Sequence, residues 1–184
     1  MIAAVPRPSL RATAWMGWLF VIGSACFAVG AVFSLNTSWS PVVAAAIFFV
    51  GSIFFTSASS IQMRLAWRSG ADGSSASTFA ALLSRAPAWT SSWIQWIGTI
   101  FFNVTTLAAL VEVSGTAAVS NQVIWRPDAI GSIFFGFSAV GAYVVSSTDD
   151  LLNAQWANGG TFLGALCFLV GAWLVVPRQR VVTT

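Results

Sequence analysis

The sequence predicts an all-α integral membrane protein of about five transmembrane helices, two parallel two-helix repeats plus a fifth helix. Three observations carry that expectation. Hydrophobic residues make up 57% of the 184 positions and charged ones 7%, too little polar surface to cover a water-soluble domain of this size. The charged side chains fall almost wholly between apolar segments, each near the roughly 20 residues that a bilayer core requires of a helix. Parts of the chain also match one another without gaps, and such matches are the mark of a duplicated unit. Runs such as Val42 to Val50 show no alternation of polarity, which excludes the strands of a transmembrane β-barrel.

The elements follow in order. A cytoplasmic tail over 1–13 carries Arg7 and Arg11, and the first repeat, 14–63, contains spans at 14–35 and 41–63. The stretch from Arg7 to about Ala28 has the basic start and apolar run of a secretory signal, but the fifth span repeats its pattern, so it reads as a retained helix. Pro41 opens the second span, where its missing N–H costs nothing. The second half of that span is polar, with Thr56, Ser57, Ser59, Ser60 and Gln62 leading to Arg64. The segment 64–90 reads as a cytoplasmic loop, flexible from Ser69 to Ser77, with Thr78 to Leu83 fitting a short interfacial helix.

The second repeat, 91–147, contains spans at 91–113 and 128–147. Pro127 and Asp128 read as the start of the fourth span, the proline in its first turn and the carboxylate beside the positive end of the helix dipole. Asp149 and Asp150 form a solvated turn before the fifth span at 156–176, which closes the region 148–177 and leads to a tail over 178–184.

Orientation comes from arginine, since the sequence has no lysine. Arg7, Arg11, Arg64, Arg68 and Arg85 share one side, and Arg126, Arg178 and Arg180 the other, so the positive-inside rule sets the N-terminus in the cytoplasm of a multi-pass cell-membrane protein. Trp15, Trp18, Trp93, Trp96 and Trp156 mark one interface, with Trp39 and Trp125 at the other. Arginines spread as flanks of apolar segments are not the clustered basic face that nucleic acid requires, and none is expected as a partner.

Trp18 to Phe27 matches Trp93 to Phe102 at the Trp, Ile, Gly and final Phe, which relates the first and third spans. Pro41 to Ser52 matches Pro127 to Ser138 at Pro, Ile, Phe, Phe and Ser, which relates the second and fourth. Gly23 to Gly30 matches Gly164 to Gly171, so the fifth span begins a third unit. A unit of two spans enters the membrane in the same direction each time, so the duplication is parallel, not the inverted arrangement of many transporters.

At these residues the chain resembles the YrhK-like family, small bacterial membrane domains of two helices with a Gly-Ser-x-x-Phe core and a second Gly/Ser/Phe helix. The pairs 14–63 and 91–147 carry the likeness. It implies a fold and no activity, substrate or catalytic residue.

Gly23 and Gly30, Gly98, Gly131, and Gly164 and Gly171 are read as helix-packing positions, where a missing side chain lets a neighbour approach closely. Ser24, Thr99 and Ser132 extend the small faces and can bond to a carbonyl one turn back. Asn103 stands near the middle of the third span with Thr105 and Thr106 beside it and Gln95 two turns earlier. Asn103, Thr106 and Gln95 either hold helices together by hydrogen bonds or line a polar path. Glu112 and Arg64 fall at opposite faces of the bilayer and do not pair. Cys26 and Cys167 lack the spacing of a metal or redox site and read as packing residues.

With no histidine in the chain, no Ser-His or Cys-His pair can form, and the usual haem and zinc ligand is absent. No catalytic, cofactor-binding or metal-binding residues are assigned, and an enzyme is not expected. The expected role is that of a non-enzymatic assembly or accessory membrane subunit, with the lipid bilayer and either a second copy or other membrane proteins as partners. The alternative is a small oligomeric channel or transporter for an uncharged solute or ion.

Overall fold

A computed structural model of the chain describes residues 10–35, 38–69, 87–143 and 151–175. The tails, most of the 64–90 loop with its proposed interfacial helix, and the Asp149–Asp150 turn lie outside the described residues. The described part is helical: α1 Leu10–Leu35, α2 Pro41–Ser69, α3 Pro87–Val113, α4 Asn121–Tyr143 and α5 Leu151–Val175. Each packs on its neighbour in the chain, α1 on α2, α2 on α3, α3 on α4 and α4 on α5. The short α1–α2 and α3–α4 connections force antiparallel neighbours, as in other helical hairpins.

Among the described residues three helices are long and apolar enough to cross a bilayer, over Arg11–Leu35, Pro41–Trp67 and Trp89–Val113. In α5 the corresponding apolar stretch is the shorter Asn158–Leu174. In α4 the apolar run begins at Ala129, because Gln122, Arg126, Pro127 and Asp128 occupy its first turns. Valine, isoleucine and leucine side chains point outward on every helix, with Val32 57%, Val50 48%, Leu107 45%, Val140 52% and Val170 59% exposed. The largest of the fully buried side chains are instead small and hydroxylated, Thr99, Ser52, Ser59, Ser132 and Ser138, with Ala58 and Ala172 buried as deeply. Aliphatic side chains facing out over buried hydroxyls are compatible with a lipid surround, where close packing and internal hydrogen bonds hold helices together.

Two of the helix pairs meet in the same way. A Cβ built on Gly23 of α1 would lie 3.1 Å from the Gly51 carbonyl oxygen and 3.2 Å from the Phe55 ring of α2. On Gly98 of α3 it would lie 3.1 Å from the Gly131 carbonyl oxygen and 2.7 Å from the Phe135 ring of α4. In return, a Cβ on Gly51 would meet Cys26 and Phe27, and one on Gly131 would meet Phe101 and Phe102. Phe27 and Phe55 have ring centroids 5.4 Å apart, Phe102 and Phe135 5.2 Å.

These contacts set Gly51-Ser52-Ile53-Phe54-Phe55 against an identical Gly131-Ser132-Ile133-Phe134-Phe135. The register differs from the one that aligns Pro41 with Pro127. The physical reason is that the glycine at a helix crossing fixes which residues meet, whereas a proline only constrains where a helix bends or begins. Pro41 does begin α2, but Pro127 lies inside α4, which starts at Asn121. Pro127 and Asp128 are therefore not a helix start. The N–H missing at Pro127 would have served the Val123 carbonyl, four residues back. One residue further on, Thr105 of α3 donates its hydroxyl to the Ile124 carbonyl, which ties this turn of α4 to α3.

The centre of the bundle is aromatic. Phe102, Phe135 and Ala165 are buried together with Phe168 packed on them. Phe168 of α5 reaches Phe102 at 4.9 Å and Phe27 of α1 at 5.4 Å, edge to face with the latter, so one ring ties together three helices.

Candidate functional site

Between α2 and α3 runs a ladder of polar contacts. Ser52 Oγ lies 3.0 Å from Thr106 Oγ1, Asn103 donates Nδ2–H to Thr56 Oγ1 at 2.9 Å, and Trp96 donates Nε1–H to Ser60 Oγ at 3.0 Å. Ser52, Thr56 and Ser60 recur every four residues, so they stack along one face of α2. Their partners descend in number as they ascend, as antiparallel helices require. The hydroxyls of the polar half of α2 are also satisfied locally, whereas Gln62 Oε1 is buried without a donor. Thr56, Ser57, Ser59 and Ser60 each donate to the carbonyl four residues back, at 2.8 to 3.1 Å.

A second cluster joins α3 to α4. Ser91 Oγ donates to the Ser138 carbonyl at 2.6 Å, while Ser138 Oγ stands 2.9 Å from the Ser91 carbonyl and 3.2 Å from Gln95 Oε1. Thr99 and Ser132 donate back to Trp96 and Asp128 carbonyls of their own helices, both at 2.7 Å.

The residues singled out from the sequence thus divide between two seams. Asn103 and Thr106 meet α2, and Gln95 meets α4. Asn103 Oδ1 is buried and meets no donor. Trp96 is drawn into the α2 seam, and the indole nitrogens of Trp93 and Trp125 are buried with no hydrogen bond. Arg64 and Glu112 are exposed. Cys26 is half-buried against the α2 crossing, but Cys167 is exposed and is not a packing residue within this chain.

The glycines divide as well. Gly23, Gly30, Gly98 and Gly131 stand at helix contacts, with Phe48 packed 3.2 Å from the position of a Cβ on Gly30. A Cβ on Gly160, Gly164 or Gly171 of α5 would meet nothing within 4 Å. The helix α5 packs through a different face, on which Ala165 is 2% and Ala172 1% exposed. Spacing alone identifies a small face without saying whether a neighbour lies on it.

A cavity of about 730 Å³ opens at the end of the bundle where α1 and α3 finish and α2 and α4 begin. Its walls include Phe33, Trp39, Phe48, Phe102 and Phe168, and one carboxylate, that of Asp128. Sequence reasoning missed it because its walls come from all five helices, and because Asp128 read as a helix-start residue. Among the described residues no group of three or more His, Cys, Asp or Glu side chains could hold a metal ion.

No protein-family profile matches the chain, and neither a curated protein nor a solved structure matches it significantly.

Proposed function

We propose that this chain is a non-enzymatic, five-span protein of the cell membrane whose helix faces serve assembly, either with further copies of itself or as an accessory subunit of another membrane protein. In this reading it is a tandem duplication of a YrhK-like helix pair, α1–α2 and α3–α4, followed by α5 as the first helix of a third pair. The N-terminus is cytoplasmic, as the arginine distribution favours. What supports the duplication is the shared crossing of Gly23 with Gly51 and Gly98 with Gly131, each with a phenylalanine from the partner helix laid over it.

The observation that carries the assembly reading is the state of the α5 glycines. Gly23 and Gly30 of α1 lie against Phe55 and Phe48 of α2, whereas a Cβ on Gly164, the counterpart of Gly23 in the sequence match, would meet nothing within 4 Å; Gly171, the counterpart of Gly30, lines the cavity at the end of the bundle. A helix that carries half of a packing motif without the other half has a vacant face, and small faces are where membrane helices approach one another. The polar side chains that a conduction path would use are engaged in the α2–α3 and α3–α4 seams, so the geometry favours assembly over transport.

Native mass spectrometry of the protein released from nanodiscs tests this. The expected result is a closed oligomer or a stoichiometric complex with a second subunit, dissociated by Gly164→Leu, with helicity and thermal stability of the variant chain preserved because a Cβ at this position meets nothing within 4 Å. A monomeric wild-type protein, or a complex indifferent to Gly164→Leu, overturns it.

A further inference from the structure

We propose that the cavity beside Asp128 binds a lipophilic organic cation, an ammonium or phosphonium centre carrying an aromatic or branched apolar body. The cavity, at about 730 Å³, falls within the roughly 300–1,000 Å³ of small-molecule sites. Its lining is apolar and aromatic with few polar groups, the usual make-up of a site for a small organic ligand.

The sign of the ligand follows from the charges. Asp128 contributes the one ionisable side chain of the lining. Among the described residues no ion pair or hydrogen-bond donor engages its carboxylate. Arg126, two residues away, points to a different side of the helix and lies 5.5 Å from the centre of the Trp125 ring. A carboxylate in an apolar wall without a counter-charge is costly, and a cation entering the cavity removes that cost.

The shape of the ligand follows from the rings. Phe33 and Trp39 stand with centroids 4.2 Å apart at the mouth, and Phe48, Phe102 and Phe168 line the interior. Aromatic faces attract a weakly hydrated, delocalised cation and also receive its apolar substituents. The lining hydroxyls are already engaged, Ser34 with the Gly30 carbonyl and Thr106 with Ser52 and the Phe102 carbonyl. A polyhydroxylated ligand would find few free donors, and an anionic one no positive charge.

The probe is tetraphenylphosphonium, added to the purified full-length protein in detergent and followed by equilibrium dialysis against a protein-free micelle blank. Saturable binding of one cation per chain is expected. Asp128→Asn should weaken it at least about tenfold, as loss of a close charge pairing in a partly desolvated site implies. Asp128→Glu should retain it, and Trp39→Ala should weaken it a few-fold through the lost ring face. Trp39 is 42% exposed in the α1–α2 connection, so that variant keeps its fold even if substitution at Asp128 does not. Tetraphenylborate, of the same shape and opposite charge, should show no saturable binding when dialysed alone against the protein. Absence of saturable tetraphenylphosphonium binding, equal affinity in Asp128→Asn and wild type, unchanged affinity in Trp39→Ala, or saturable binding of tetraphenylborate alone each overturns the proposal.

Discussion

Gly98→Val is expected to separate α3 from α4 and to lower stability by about 3 kcal/mol, the upper part of the range for overpacking a close contact. A single Cβ at this position already falls 2.7 Å from the Phe135 ring and 3.1 Å from the Gly131 carbonyl oxygen. The ring could rotate aside, but the carbonyl belongs to the backbone of α4 and yields only if the helices part. Valine adds two methyl groups beyond that Cβ. Parting the helices also disturbs the Phe102–Phe135 stack on which Phe168 of α5 rests, so the loss extends beyond one contact. Reversible unfolding in mixed micelles measures the change. Gly17→Val supplies the comparison, since a Cβ there meets nothing within 4 Å and only the small helix-propensity difference remains. Equal stability of the two variants would show that the α3–α4 crossing is not as close as described.

Ser138→Leu is expected to destabilise by a similar ~3 kcal/mol, while Ser138→Ala costs about 1–2 kcal/mol. Ser138 is 1% exposed, and its hydroxyl reaches both the Ser91 carbonyl and Gln95. Alanine removes those bonds and leaves buried polar groups of α3 short of a partner, without adding volume. Leucine does the same and also forces a branched side chain between two backbones. The equivalent position of the first pair, seven residues after its crossing glycine, is Ala58, which is 0% exposed. Both pairs therefore require a small residue there, and in the second the hydroxyl adds a polar clasp. The same micelle titration reads both variants, and the expected order is wild type, then alanine, then leucine. A leucine variant as stable as the alanine one would mean that the site is not packed.

Much of the helical order was legible because apolar runs of bilayer length leave few alternatives. The starts of α1 and α3 come four residues before the expected spans, at Leu10 and Pro87, since helices continue past the apolar stretch into the flanks. The start of α4 was misread for a stronger reason. Pro127 has the features of a first-turn proline, and nothing local reveals that α4 begins at Asn121 and that Thr105, from another helix, holds the turn before the proline. The repeated Gly-Ser-Ile-Phe-Phe segment lay in plain view, but alignment by proline hid it, and only the glycine crossings set the register.

The candidate polar residues were recognisable as residues that need partners, since an amide or hydroxyl in lipid has no water to turn to. Which helix would supply the partner was not. Gln95 and Asn103 are two turns apart on α3, and they face different neighbours because α3 is sandwiched between α2 and α4. The cavity was the least legible feature, since it exists only where the ends of several helices diverge.

The central claim is that α4 and α5 cross the membrane along with α1, α2 and α3. It is tested most directly by labelling single cysteines with a membrane-impermeant thiol reagent, in a chain carrying Cys26→Ala and Cys167→Ala. Thr116→Cys, in the exposed connection before α4, and Asp149→Cys, beyond its far end, bracket that helix. The account predicts that Thr116→Cys is labelled in intact cells and Asp149→Cys only after the membrane is opened, with a cysteine at Thr184 again labelled from outside. Labelling of the Thr116 and Asp149 positions from the same side would contradict it, leaving α4 in the membrane surface.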